Sequence, residues 1–303
     1  MQGSKGRTEE IRMSAGKKFR ELVKQSPPLH IVGVADGSDA LEAERAGFKA
    51  IYASGSQIAA SRGWADIGRI ELHHVVGNVQ RILDSGVKLP LLVDIDTGFD
   101  DVAETIQTLE KMGVAAVHLE DQEDLKSCGH LPGKHVVSIE AAVARIAKAV
   151  KAKKSADFVI MARTDALAVE GMEKTLERIK AYAAAGADMI FAEAFPDLSS
   201  YAAVKKAAGG KPVLANMTEF GKVALKTPKE IFDETNGAVD IVLNPLTVYR
   251  AQRHTAAEMY RELHAKGTQR GMEPKLQTRE DFQKLIDYPA QVKGRAEALK
   301  KNG

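Results

Sequence analysis

A second cysteine is missing from this 303-residue chain, so no disulfide can form within it. The opening residues, MQGSKGRTEEIRMSAGKKF, hold no apolar core of the kind a secretion signal needs, and no stretch reaches the roughly 18 consecutive apolar residues of a membrane span. These absences predict a cytoplasmic protein with no membrane partner, in which the sequon-like Asn216-Met217-Thr218 is not a glycosylation site. A strong charge of either sign is missing too. The formal net charge is +2 and the lysines are scattered among acids, which leaves no electrostatic footprint for nucleic acid. The run KAVKAKK at 148–154 reads as the solvated end of a helix. There is no His/Cys cluster at zinc spacing and no G-x-G-x-x-G after the first strand, which argues against a zinc site and a dinucleotide-binding open sheet.

What the chain does have is apolar mass, 44% hydrophobic residues beside 28% charged ones, enough to bury a large core. Residues 1–14 are polar and are expected to be loose. Residues 15–24 carry Phe19, Leu22 and Val23 at helical spacing, and Pro27-Pro28 ends that helix. A unit then repeats: a short β-branched run, a polar loop, an amphipathic helical stretch and a glycine that stops it. The strands are expected at 31–35, 50–53, 89–94, 115–120, 158–163, 189–193, 212–216 and 239–244. Eight such units predict an α/β fold of TIM type, a (β/α)₈ barrel over 15–267, because strands alternating with helices make a parallel sheet and eight can close it. The tail 268–303 has helical patterns at 279–286 and 291–300 but no strand, and is expected to pack outside the barrel or on a neighbouring subunit.

In such a barrel chemistry stands at the carboxyl ends of the strands. Those ends carry Tyr52, Ser54 and Gly55; Asp94 and Asp96; Glu120 and Asp121; Arg163, Thr164 and Asp165; Glu193; Asn216 and Thr218; and Asn244, whereas the opposite ends carry mostly Gly, Ala and Pro. Asp94 and Asp96, one residue apart as a strand leaves the barrel, should point the same way, and carboxylates so placed repel unless a cation joins them. Oxygen donors favour Mg²⁺ or Mn²⁺. Arg163 offers a fork for a substrate carboxylate. After the fourth strand comes Lys126-Ser127-Cys128-Gly129-His130, in which a thiol between a lysine and a histidine can exchange a proton near neutrality.

Taken together these residues resemble the isocitrate lyase and phosphoenolpyruvate mutase superfamily, most closely its methylisocitrate lyases, from about residue 16 to 281. The likeness rests on Tyr52-Ala53-Ser54-Gly55, Asp66-Ile67-Gly68, Val93-Asp94-Ile95-Asp96-Thr97-Gly98, His118-Leu119-Glu120-Asp121-Gln122, the Cys128 motif, Met161-Ala162-Arg163-Thr164-Asp165, the run at 214–221 and Gln277-Thr278-Arg279. It implies a Mg²⁺-dependent carbon–carbon lyase that breaks the C2–C3 bond of a 2-hydroxy acid in a retro-aldol sense. Asp66, Asp94, Asp96 and Glu120 would hold the metal, Cys128 would protonate the leaving half, and Tyr52 is one candidate base, with Lys126 and His130 beside the thiol. Ser54, Gly55, Ser56, Gly129, Arg163, Glu193, Asn216, Thr218, Leu243, Pro245 and Arg279 would contact a di- or tricarboxylate substrate, and the assembly would be a homotetramer with exchanged tails.

By the resemblance, Phe191, Leu243 and Pro245 stand at pocket positions where methylisocitrate lyases differ from isocitrate lyases, which usually also carry large insertions, and this implies a methylated substrate. Ser127 and Leu131 stand where the family carries basic residues, and Ser54-Gly55-Ser56-Gln57 replaces its Ser-Gly-Gly loop. Losing a charged hydrogen bond typically forfeits ~1.5–3 kcal/mol. A lyase acting on a dicarboxylate such as dimethylmalate, or an oxaloacetate hydrolase, therefore stays open, as does a carboxylate-binding barrel without catalysis.

Overall fold

The computed structural model describes residues 13–123, 133–221 and 223–301. Eight parallel strands close into a barrel in sequence order, β1 Leu29–Gly33, β2 Ala50–Ala53, β3 Leu91–Asp94, β4 Ala116–Glu120, β5 Val159–Thr164, β6 Met189–Ala192, β7 Val213–Asn216 and β8 Ile241–Asn244. The closing register sets Leu29 beside Ile241, and the Leu29 amide donates to the Asp240 carbonyl at 2.8 Å. Strand one therefore starts two residues before the expected 31 and stops before Val34. β3 and β7 start after Pro90 and Pro212, since proline has no amide to give to a ladder. β5 runs one residue further than expected because Thr164 pairs with Ala192. Among the described residues no helix is long and apolar enough to cross a membrane.

Alternation along each strand divides the molecule in two. Outward residues such as Ile51, Val93, Val117 and Ile160 meet the surrounding helices. Inward residues, among them Ile31, Tyr52, Leu92, Met161, Phe191, Leu214 and Leu243, fill the barrel with side chains rather than a pore. The first helix, α1 Ala15–Gln25, puts Phe19 and Val23 into that inner cluster and so plugs the amino-terminal end of the barrel. Arg20 pins it there, donating to the Asp157 and Phe158 carbonyls at 2.8 and 3.1 Å and pairing with Asp188 at 2.9 Å. A Cβ on Gly16 would lie 2.5 Å from the Asp157 carbonyl oxygen, so the close approach needs glycine. With one end plugged, the carboxyl ends of the strands are the open mouth.

Beyond the barrel, helix Thr247–Lys266 stops at Gly267 in the left-handed region, φ 62°. Helices Arg279–Leu285 and Tyr288–Lys301 follow, close to the expected 279–286 and 291–300. In this single chain they leave Phe282, Tyr288, Val292 and Leu299 between 42% and 56% exposed.

Candidate active site

Inward positions become polar as each strand leaves the barrel. Leu92 is followed by Asp94, Ala116 by His118 and Glu120, Met161 by Arg163 and Asp165, Phe191 by Glu193, and Leu214 by Asn216. Period-two alternation thus carries an apolar floor up into a charged rim.

Asp94 and Asp96 are both buried and do converge, though not as two residues of one strand. β3 ends at Asp94, and Asp96 takes a left-handed backbone, φ 48°, donating its amide to Asp94 Oδ1 at 3.1 Å. Gly55, the first residue of helix Gly55–Ala60, donates its amide to Asp94 Oδ2 at 3.0 Å. A Cβ there would fall 2.9 Å from Asp96 Oδ1 and 3.0 Å from Asp94 Oδ2, so glycine lets both carboxylates close on one spot. Ser54 caps the same helix and is buried, Ser56, the residue after Gly55, is half-buried, and Asp66 is half-buried on the loop that follows. Glu120, fully buried, ends β4 on the same inner face. A set of oxygen donors with no thiol or imidazole ligand among them suits a hard divalent cation, and the residues present fit the ion that the sequence implies.

The sequence motifs do not single out His118 as a site residue, and the signal that could is its position two residues before Glu120. Its Nε2 lies 2.9 Å from the Tyr52 hydroxyl and 3.6 Å from Asp94 Oδ1. Its ring stacks on Tyr52 and meets Phe191 edge-on at 5.1 Å. The Tyr52 hydroxyl also donates to Asp94 Oδ2 at 3.3 Å. Burial, and then the Asp94 charge, push the Tyr52 phenol well above its ordinary pKa.

Opposite stands Arg163. Its Nε and Nη2 donate to Asp165 at 2.8 and 3.2 Å, and Nε lies 3.3 Å from Glu120. One edge of the expected fork is therefore taken by the protein, and the far edge is left for a ligand. Burial works against the charged guanidinium, but Asp165, Glu120 and Glu193 outweigh it and push its pKa well above the ordinary value. Burial likewise works against the Asp165 carboxylate, while Arg163 and then Lys134, at 3.1 Å, hold its pKa below the ordinary value. Asp121 anchors this hub from behind. It accepts from the Asp165 amide at 2.9 Å, Thr164 Oγ1 at 2.7 Å and the Tyr182 hydroxyl at 2.7 Å. Burial, then Asp165, raise its pKa. Arg178, almost wholly buried, lies 3.6 Å from Asp121, pairs with Glu170 at 2.6 Å and caps the Val137 carbonyl at 2.8 Å. Arg178 and Lys134 thereby tie the site to the chain that returns after residue 132.

Glu193 accepts from Asn216 Nδ2 at 3.2 and 3.3 Å, and Thr218 is buried just beyond β7. Leu243 lies in the floor and Pro245 is buried just past β8. Arg279 does not join this ring within one chain. It is exposed at the start of its helix, outside the barrel, where the neighbouring Gln277 bonds to Glu42 at 3.0 Å. Lys126, Cys128, Gly129 and His130 lie outside the described residues. A separate group, Glu71, His73 and His74, brings one potential ligand atom each within 4.8 Å at the surface. It sits at the start of helix Leu72–Asp84, where Glu71 lines a cavity that also reaches Asp96.

Comparison with known proteins gives a consistent picture. The phosphoenolpyruvate phosphomutase family matches residues 19–261. A 2-methylisocitrate lyase of Shewanella oneidensis is 48% identical over 91% of this chain and 94% of that protein. Among solved structures, 2,3-dimethylmalate lyase, a member of the phosphoenolpyruvate mutase/isocitrate lyase superfamily, superposes with a TM-score of 0.85 at 31% identity, covering 94% of this chain and 96% of that one. Oxaloacetate acetylhydrolase bound to 3,3-difluorooxaloacetate gives 0.85 at 32% identity, covering 94% and 97%.

Proposed function

Because the chain belongs to the phosphoenolpyruvate mutase/isocitrate lyase superfamily, we propose that its strand-end site is a lyase site that cleaves 2-methylisocitrate to pyruvate and succinate. The observation that carries the reading is the pairing of two converging buried carboxylates, Asp94 and Asp96, with a charged Arg163 in the same ring, a cation site beside a carboxylate site. The 48% identity to a 2-methylisocitrate lyase supports the choice of substrate.

Held by Asp94, Asp96, Glu120 and Asp66, Mg²⁺ would supply positive charge for the substrate's carboxylate and hydroxyl oxygens. The protein's own groups handle the protons. Tyr52 is protonated in the free protein, so it takes the substrate hydroxyl proton only by passing its own to His118, 2.9 Å away. As the C2–C3 bond breaks, its electron pair moves to the carbon beside the succinate carboxylate, and the hydroxyl oxygen becomes the pyruvate carbonyl. The free edge of Arg163 holds a carboxylate while negative charge grows nearby. Cys128 returns a proton to that carbon, leaving pyruvate and succinate in atom balance. Phe191 and Leu243 give the methyl group an apolar floor.

A second reading is favoured by Ser127 and Leu131, which remove two expected cations. It is action on a dicarboxylate, either cleavage of 2,3-dimethylmalate or hydrolysis of oxaloacetate. A panel of 2-methylisocitrate, isocitrate, 2,3-dimethylmalate and oxaloacetate, assayed after chelation and again with added Mg²⁺, separates the two. Metal-restored release of pyruvate from 2-methylisocitrate at the highest kcat/KM is expected. Preference for another member of the panel, or full turnover without metal, overturns the assignment.

The exposed Phe282, Tyr288 and Val292 support a homo-oligomer, a tetramer by resemblance, in which the tail packs on a neighbour. Ending the chain at Gly267 should leave monomers or aggregates in sedimentation, and an assembly with an unchanged number of subunits would contradict this.

A further inference from the structure

A cavity of about 710 Å³ opens beside the carboxylate pair, between the loop that follows helix Gly55–Ala60 and the loop that follows β3. Gly68, Arg69 and Glu71 form one wall, and Asp96, Thr97 and Asp100 the other. Asp96 belongs to both the cavity and the proposed metal site, so this space adjoins any ligand held there. Among the described residues lining it, Arg69 is the one cation. Its guanidinium carbon lies 4.2 Å from the centroid of the Trp64 ring, and Trp64 is itself braced by the edge of His74 at 5.2 Å. A guanidinium laid on an indole keeps its in-plane N–H donors directed outward while its position is fixed. Glu71 and Asp100 line the same cavity, yet no described carboxylate pairs with Arg69. Its donors are therefore available to an incoming anion.

Among the described residues at the strand ends, Arg163 can take one carboxylate and the metal site another, but a tricarboxylate has a third, and Ser127 and Leu131 are neutral. We propose that Arg69, held on Trp64, recognises the carboxymethyl arm of the substrate and so makes this site selective for a tricarboxylate over a dicarboxylate. The inference rests on the proposed lyase activity and names the residue that sets its substrate class.

Two substrates isolate the arm, because 2,3-dimethylmalate is 2-methylisocitrate with the carboxymethyl group replaced by methyl. Arg69→Met keeps the stem and removes the charge. It should raise KM for 2-methylisocitrate roughly 10- to 100-fold with kcat nearly unchanged, and leave KM for 2,3-dimethylmalate within about twofold. Arg69→Lys should recover part of the loss, since an ammonium keeps the charge without the planar fork. A KM unchanged for both substrates, or raised equally for both, overturns the proposal. A second measurement does not depend on turnover. Trp64 is the only tryptophan in the chain, so succinate, which carries the arm, should shift its fluorescence in the Mg²⁺-loaded wild type and not in Arg69→Met, and propionate should shift neither. If the wild type cleaves no panel substrate yet shows this pattern, the lyase reading fails and the anion site stands. If succinate gives no Arg69-dependent shift, the anion site fails even where lyase activity is present.

Discussion

Cys128→Ser is expected to lose roughly 10²- to 10⁴-fold in kcat, the usual worth of a positioned general acid, while metal binding and melting temperature stay near wild type. Serine is close in size, but a hydroxyl is a far weaker acid than a thiol, so the carbon that receives the electron pair would wait for its proton. Two rival roles give other results. A cysteine that merely packs would, on replacement, bury a hydroxyl in an apolar setting at about 1–3 kcal/mol, lowering the melting temperature with kcat of the folded fraction intact. An oxaloacetate hydrolase needs no thiol for a water molecule to attack a carbonyl, and the variant would keep much of its rate. Measuring kcat and thermal stability on one preparation distinguishes these outcomes, and a near-normal kcat removes Cys128 from the role given to it.

Asp94→Asn should be comparably severe and for a different reason. Asparagine keeps the side chain's volume but gives up the charge that makes the Asp94–Asp96 pair a cation site. It also puts an amide NH₂ where Gly55 N–H and Tyr52 O–H both donate, so the hydrogen bonds that order the rim are partly lost. If the metal contributes several kcal/mol to stabilising developing charge, its loss costs on the order of 10³-fold in rate. Mn²⁺ binding followed by paramagnetic resonance should weaken in parallel. An Asn variant that binds Mn²⁺ normally and turns over at the wild-type rate would mean that the cation lies elsewhere, the surface group Glu71, His73 and His74 being the next place to look.

The barrel was legible in the sequence because a parallel strand buried on both faces is written as a continuous apolar run, and each run here is bounded by a glycine or a polar loop. At the starts of β3 and β7 the differences are local, since Pro90 and Pro212 continue the apolar run and accept through their carbonyls but have no amide to donate to the ladder. Most of the strand-end acids were legible for the same reason that His118 should have been, the strict alternation of a strand. The hub behind Arg163 was not. Lys134 meets Asp165 across 31 residues and Tyr182 meets Asp121 across 61, and no local pattern announces such pairings. Nor does the amphipathic spacing of Phe19 and Val23 tell a helix that plugs a barrel from one that lies on its outside.

The central claim is that this chain breaks the C2–C3 bond of a 2-hydroxy tricarboxylate and protonates the carbon it leaves. Proton NMR of the Mg²⁺-loaded enzyme with 2-methylisocitrate in D₂O reads both events at once. The account predicts one pyruvate and one succinate per turnover, with a single deuterium in each succinate molecule. Untouched 2-methylisocitrate, beside oxaloacetate converted to acetate and oxalate by the same preparation, would contradict it.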